Sequence, residues 1–283
     1  MGKTLFISDL DGTLLNTSAQ ITPTTAKIIN GLTENGLIFT YATARSFHTA
    51  QKVTGEINFK YPIVCRNGEF IQNPQTGDYF DMCFFDKDKI DDIISKFEIN
   101  SLYPLVNSIM DGRERVSWIT GKEENGRLNF YLKTRENDKR LRPVNNYSEF
   151  FAGDIHGIGF FGNTAEELQK ILEILKLNEH FTYHIQKDTY QDENGGTIYW
   201  LEIMRFDATK DAGVKKVQRL VGADKIVCFG DNINDIPMFN VSDEKYAVEN
   251  AISEVKDIAD CVIGSNDEDG VAKWLEKYAG DYM

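Results

Sequence analysis

The sequence is poor in paired cysteine, in long apolar runs and in basic charge. Its four cysteines, Cys65, Cys83, Cys228 and Cys261, are widely scattered and form no Cys-x-x-Cys pair. A disulfide framework is therefore not expected; Cys65 and Cys228 read as small core residues in strands, and the setting as reducing and cytoplasmic. No stretch approaches the roughly 20 apolar residues of a membrane span. Met1-Gly2-Lys3-Thr4 leads straight into an apolar strand, without a signal-peptide pattern. Phe6 stands where a myristoylation signal requires Ser or Thr. The 31 Lys and Arg against 44 Asp and Glu leave a net charge of −13, which argues against nucleic acid or an anionic membrane as partner. A small phosphorylated molecule stays possible, because a metal and a few cations can invert the field locally. There is no internal repeat and no low-complexity tract.

What is present suits a globular chain of one large or two ordinary domains: 283 residues, 41% hydrophobic and 27% charged. The stretch that organises it is Leu5-Phe6-Ile7-Ser8-Asp9-Leu10-Asp11-Gly12-Thr13-Leu14. Its apolar start reads as a buried parallel strand, and the acidic turn then falls where open α/β sheets place their ligands. Two carboxylates this close raise each other's pKa, so the turn implies a divalent metal, a shared proton, or both.

Three strands, at Leu5–Ile7, Leu37–Ala42 and Pro62–Cys65, alternate with helices. Thr22 and Pro23 supply the cap and first position of one helix, and another covers Phe47–Thr54. This order predicts a doubly wound, Rossmann-like parallel sheet. A hairpin around Asn73-Pro74-Gln75-Thr76-Gly77 breaks the alternation. An α+β section follows without strand-end acids: helix Asp88–Phe97, strands Tyr103–Ile109 and Glu114–Thr120, a helical stretch Glu123–Thr134, strand Ile155–Phe161, helix Ala165–Leu175 and strand Phe181–Gln186. Thr164 and Glu167 predict a capping box. The first pattern then returns with strand Ile198–Met204, helix Thr209–Val221, strand Lys225–Phe229, a short strand Tyr246–Val248 and a last helix Val271–Tyr278. The expected division is a core over 1–83 and 187–283, with an inserted α+β domain over 84–186.

The chemistry-bearing residues lie at the ends of core elements. Asp9 is the candidate nucleophile, since a carboxylate can accept a phosphoryl group as an acyl phosphate. Asp11 is the candidate general acid and base. Thr43 could donate its hydroxyl to a phosphate oxygen, and Arg45 could help bind an anion. Lys210, at a helix start, runs against the helix dipole and so needs anionic company. In Gly230-Asp231-Asn232-Ile233-Asn234-Asp235, Asp231 and Asp235 share a face if a helix begins there. Oxygens from Asp9, the Asp11 backbone carbonyl and Asp231 suit Mg²⁺.

These four pieces in this order resemble the haloacid dehalogenase superfamily, and the inserted section is similar to the cap of its Cof-type phosphatase branch. The Gly-Thr after Asp11 does not fit a receiver domain. Asn67-Gly68 and Glu249-Asn250-Ala251 also look like that branch, while Ala42-Thr43-Ala44-Arg45 departs from the usual Thr-Gly-Arg and Asp211 stands where Gly is common. The resemblance implies that Asp9, Asp11, Thr43, Lys210 and Asp231 carry catalysis and metal binding. It further implies that Asn234 and Asp235 support phosphate and metal, with Gly12, Asn67 and Gly68 in supporting roles.

The function implied is Mg²⁺-dependent hydrolysis of phosphate monoesters of small metabolites, sugar phosphates first, through an aspartyl-phosphate. A phosphomutase and a non-catalytic phosphometabolite sensor are the alternatives, and nothing in the sequence sets the oligomeric state. In the cap, Arg113, Arg115, Trp118, His156 and His184 are residues that could touch a substrate, and none of them is assigned that role.

Overall fold

The computed structural model describes residues 2–122, 126–191 and 196–282. The chain divides into two compact units, one running to Met82 and resuming at Asp207, the other spanning Cys83–Phe206.

In the first unit, β1 (Thr4–Ser8), α1 (Pro23–Glu34), β2 (Ile38–Tyr41), α2 (Phe47–Thr54), β3 (Ile63–Cys65), β4 (Phe70–Gln72) and β5 (Tyr79–Met82) come first. The second unit contributes α3 (Lys87–Ile99), β6 (Leu105–Met110), β7 (Arg113–Ile119), α4 (Gly126–Lys133) and β8 (Leu141–Val144). It continues with β9 (Asp154–Gly162), α5 (Ala165–Leu175), β10 (Phe181–Gln191) and β11 (Thr197–Arg205). The first unit then resumes with α6 (Lys210–Val221), β12 (Lys225–Gly230), α7 (Ile236–Asn240), β13 (Glu244–Val248), α8 (Ser253–Lys256), β14 (Cys261–Ile263) and α9 (Gly270–Tyr278).

The core sheet has the order β14-β13-β12-β1-β2 and is parallel throughout. Every residue of β1 is buried, which is what a central parallel strand covered on both faces requires. The α1 start follows the sequence: the Thr25 amide donates to Thr22 Oγ1 at 3.0 Å, and Pro23 occupies the first turn, where its missing N–H costs nothing. The α1 and α9 helices are tied together by the hydroxyls of Thr22 and Thr25, which both donate to the Asp269 carboxylate. Trp274 of α9 packs on Phe6 of β1 and Phe229 of β12, fixing that helix to the two strands that carry the acidic turns.

The third predicted core strand differs from expectation. β3 touches β2 through one parallel bridge, Ala42 with Val64, but pairs antiparallel with β4, and β4 with β5, in a separate three-stranded sheet. β3 has two edges: one pairs with β4 through the short turn, and the other meets the chain just beyond β2 at Ala42 and Thr43.

The second unit is a six-stranded sheet, β10-β11-β9-β6-β7-β8, antiparallel except for the β7 and β8 pair. Consecutive residues of β9 serve opposite faces. Phe160 joins a core with Ile93, Phe97, Leu168 and Leu172 of α3 and α5, whereas Phe161 joins Leu105, Val116, Leu128 and Ile198 on the α4 side.

The second expected boundary, at 186/187, needs correction. The predicted strand Ile198–Met204 is β11, and it lies between β10 and β9 inside the second unit rather than in the parallel core, so that unit extends to Phe206. Smaller differences are local. β8 and β14 were not expected. The Thr164 box is half formed: Glu167 N–H donates to Thr164 Oγ1 at 3.2 Å, while the Glu167 carboxylate accepts from Asn163 N–H at 2.7 Å. The helical stretch expected from Glu123 appears as α4, and residues 123–125 lie outside the described residues. Among the described residues no helix is long and apolar enough to cross a membrane.

The boundary has a direct test. A fragment spanning 83–206 should unfold cooperatively in urea, whereas one spanning 84–186 lacks the strand that joins β10 to β9 and should show no cooperative transition by circular dichroism.

Candidate active site

The site is assembled where β1 and β12 lie side by side. The Asp9 amide donates to the Phe229 carbonyl at 2.9 Å, continuing the Ser8 to Phe229 register, so the turns after both strands emerge together. The chain order reverses direction at this pair, the usual position for a ligand crevice.

Lys210 opens α6 and is fully buried. Its Nζ donates to Asp9 Oδ1 at 2.6 Å and to Asp235 Oδ1 at 2.6 Å. Asp235 Oδ2 accepts the amides of Asp231 at 2.9 Å and Asn232 at 3.0 Å, so both oxygens of this buried carboxylate are engaged. Asp231 Oδ1 accepts from the Thr13 hydroxyl at 2.7 Å. One carboxylate oxygen from each of Asp9, Asp231 and Asp235 lies within 4.8 Å of the others. Three carboxylates thus crowd about one ammonium.

The electrostatics follow. Burial, with Asp235 and Asp231 adding to it, pushes the Asp9 carboxyl well above the ordinary carboxylate range despite Lys210. Burial likewise raises Asp231 to about 6 against the Thr13 hydrogen bond. Burial opposes the charge on Lys210, but Asp235 and Asp9 overcome it and hold its pKa above the ordinary value. An all-oxygen donor set short of positive charge fits a hard divalent cation such as Mg²⁺.

Two glycines permit this approach. Gly12 has φ +79°, and a Cβ there would stand 2.5 Å from Asp231 Oδ2. Gly68 has φ +108°, and a Cβ there would stand 2.1 Å from the Thr209 carbonyl oxygen, so the turn after β3 can press on the start of α6 where Lys210 begins. Arg66 and Asn67 also have positive φ, +47° and +52°, an uncommon run for residues with side chains.

The remaining predicted residues form a second network. Asp11 is half exposed and turned to Arg45, whose Nε and Nη2 grip its two oxygens at 2.7 and 2.6 Å. Buried Thr43 accepts the Arg45 amide at its Oγ1, 3.1 Å away, and its carbonyl accepts the Asn67 amide at 2.9 Å. Asn234 Nδ2 donates to Asn67 Oδ1 at 3.3 Å. Sequence reasoning gave Asp235 only a supporting part and left Thr13 and Asn250 unassigned. Asn250 Nδ2 donates to the Gly12 carbonyl at 2.7 Å, and its Oδ1 accepts the Asn266 amide. The signal for both was their place inside quoted motifs. Of the cap candidates, His156 is buried in β9 and Trp118 packs against the α4-side core.

Fold and site together define a doubly wound α/β protein with a strand-end carboxylate centre. The sequence profile of the haloacid dehalogenase-like hydrolases matches residues 6–275, and the chain belongs to that family. A Haemophilus influenzae protein is 27% identical over 98% of this chain and 98% of its own. A Bacillus subtilis 5-amino-6-(5-phospho-D-ribitylamino)uracil phosphatase is 26% identical over 97% of this chain and 98% of its own. The crystal structure of a Thermotoga maritima protein superposes with a TM-score of 0.75 at 25% identity, covering 98% of this chain and 97% of that one.

Lys210→Met should lower stability by about 3–5 kcal/mol in urea unfolding, because it strands two buried carboxylates. Arg45→Gln, at a pair that is a quarter to half exposed, should cost no more than about 1 kcal/mol.

Proposed function

We propose that the chain is a Mg²⁺-dependent phosphomonoesterase for small phosphorylated metabolites, with sugar and polyol phosphates foremost. The observation that carries this reading is the Asp9, Lys210 and Asp235 triad beside Asp231 at the ends of two adjacent parallel strands. Family membership agrees, as does the Bacillus relative, whose name specifies a phosphorylated ribityl compound.

In this reading an Asp9 oxygen attacks phosphorus as the ester oxygen leaves, and Asp11 gives that oxygen a proton. Water then attacks the aspartyl-phosphate with Asp11 taking its proton, which releases phosphate and restores Asp9. Lys210 holds the Asp9 carboxylate in one orientation, and Asp235 holds Lys210. Thr43, Arg45 and Asn234 provide donors for phosphate oxygens. Because both Asp235 oxygens are engaged, Asp9, Asp231 and the Asp11 carbonyl are the groups that would hold the metal. When bound, Mg²⁺ screens the anionic carboxylate from the anionic phosphate.

The test is phosphate release from sugar phosphates, polyol phosphates, nucleotides, pyridoxal phosphate and flavin mononucleotide, with and without Mg²⁺. Metal-dependent release from a subset is expected. Asp9→Asn should reduce turnover by more than about a thousandfold, the order for loss of a covalent nucleophile, with the melting temperature little changed. Near-normal activity in that variant would exclude Asp9 as nucleophile. Transfer of phosphate to a second metabolite without release would favour a mutase, and binding without either would favour a sensor.

Metal binding should be linked to protons. Mg²⁺ needs the ionised carboxylates, and Asp231 loses its proton only near pH 6 in the metal-free fold. The Mg²⁺-induced rise in melting temperature should therefore be larger at pH 7.5 than at pH 5, and an equal rise at both would place the metal elsewhere.

A further inference from the structure

The Arg45 and Asp11 pair is a contradiction if the residues are read one at a time. Arg45 is assigned to the incoming phosphate and Asp11 to the leaving oxygen, yet the two hold each other through two parallel charge-assisted hydrogen bonds of 2.7 and 2.6 Å. With both oxygens gripped, Asp11 cannot at the same time serve a leaving group. With its fork filled, Arg45 cannot at the same time present those two donors to a phosphate. Arg45 also has a fixed base: its amide donates to Thr43 Oγ1 at 3.1 Å and its carbonyl accepts the Arg66 amide at 3.0 Å. The guanidinium can therefore exchange partners without movement of its backbone.

We propose that Arg45 is a latch on Asp11, released by the substrate's phosphate. A phosphate presents the same spacing of acceptor oxygens to the guanidinium fork as a carboxylate does, with more charge. The exchange is energetically easy. A pair with side chains 25% and 50% exposed contributes at most about 1 kcal/mol, so a bound dianion displaces it at small cost. The buried Lys210 pairs, by contrast, stay closed throughout. Arg45 is in this respect a positioning residue for Asp11 as well as a phosphate contact, and Asp11 becomes available for proton transfer only when a phosphate occupies the site. The inference rests on the phosphatase reading above.

The test is a double-mutant cycle on binding of inorganic phosphate to the Mg²⁺-loaded full chain, using wild type, Arg45→Gln, Asp11→Asn and the double variant. Removing the Asp11 charge favours an anion in any background through lost repulsion. The latch adds a second gain only where Arg45 is present. Asp11→Asn should therefore tighten phosphate binding at least about fivefold more in the wild-type background than in the Arg45→Gln background, which is a coupling of about 1 kcal/mol. Arg45→Lys, which keeps the charge without the fork, should recover part of this coupling. In turnover, Arg45→Gln should raise KM about tenfold while kcat stays within about threefold, because Asp11 is then released from its partner. A fold defect would instead lower kcat and the melting temperature.

Equal gains in the two backgrounds, or a smaller gain with Arg45, would mean that the guanidinium bridges phosphate and Asp11 together, and would overturn the latch alone. Failure of wild type to bind phosphate and to release it from any ester would overturn the phosphatase reading and the latch with it.

Discussion

The core unit is arranged around one buried ammonium. Lys210 enters at the start of α6, against the helix dipole, and meets Asp9 from the end of β1 and Asp235 from beyond the end of β12. Taking these charges out of water costs several kcal/mol for each ion, and only close, fully hydrogen-bonded geometry offsets that. Other features of the site follow from this demand. Asp235 accepts two backbone amides in addition to Lys210. Gly68 lets the turn after β3 lie against the Thr209 carbonyl, and Gly12 lets the first acidic turn lie against Asp231. The crowding that raises Asp9 and Asp231 is the same crowding that makes the site short of positive charge.

Asp9 and Asp231 were legible in the sequence because each stands at the end of an apolar run, where a parallel sheet has a crevice whatever its detailed packing, and Lys210 because it opens a helix against the dipole. Asp9, Asp231, Asp235 and Lys210 lie together in the fold. Pairing was not legible. That Lys210 divides itself between Asp9 and Asp235, that the Thr13 hydroxyl meets Asp231, and that Arg45 turns to Asp11 all depend on side-chain reach across 25 to 218 residues of chain. No spacing rule spans such separations.

The fold shows the same division between local and distant. Helix α1 has its cap and first proline where expected, because those signals act within four residues. β11 was misplaced because an apolar run reports burial without reporting which sheet supplies it. Burial itself would not have separated the two sheets: the central parallel strand Thr4–Ser8 is buried at every position, but so is antiparallel β9 after its first residue, while β13 and β14 of the parallel sheet are partly exposed. In the second unit both faces of the sheet are covered, as Phe160 and Phe161 of β9 show by joining two different cores.

The two kinds of ion pair at the site also set what it can accept. Asp9, Asp11, Asp231 and Asp235 bring four carboxylates, and the cations paired with them are Lys210 and Arg45. An anionic substrate entering this field would be repelled unless positive charge is added or freed. A divalent cation bound at the buried carboxylates would add it, where low dielectric makes each charge count most. Arg45 can free it at the rim, where water makes the existing pair cheap to break. Lys210 can do neither, since releasing it would leave two buried carboxylates without their ammonium. A rigid buried pair that orients Asp9 and a labile exposed pair that answers the ligand are therefore separate requirements of the same acidic crevice, and burial alone decides which pair meets which.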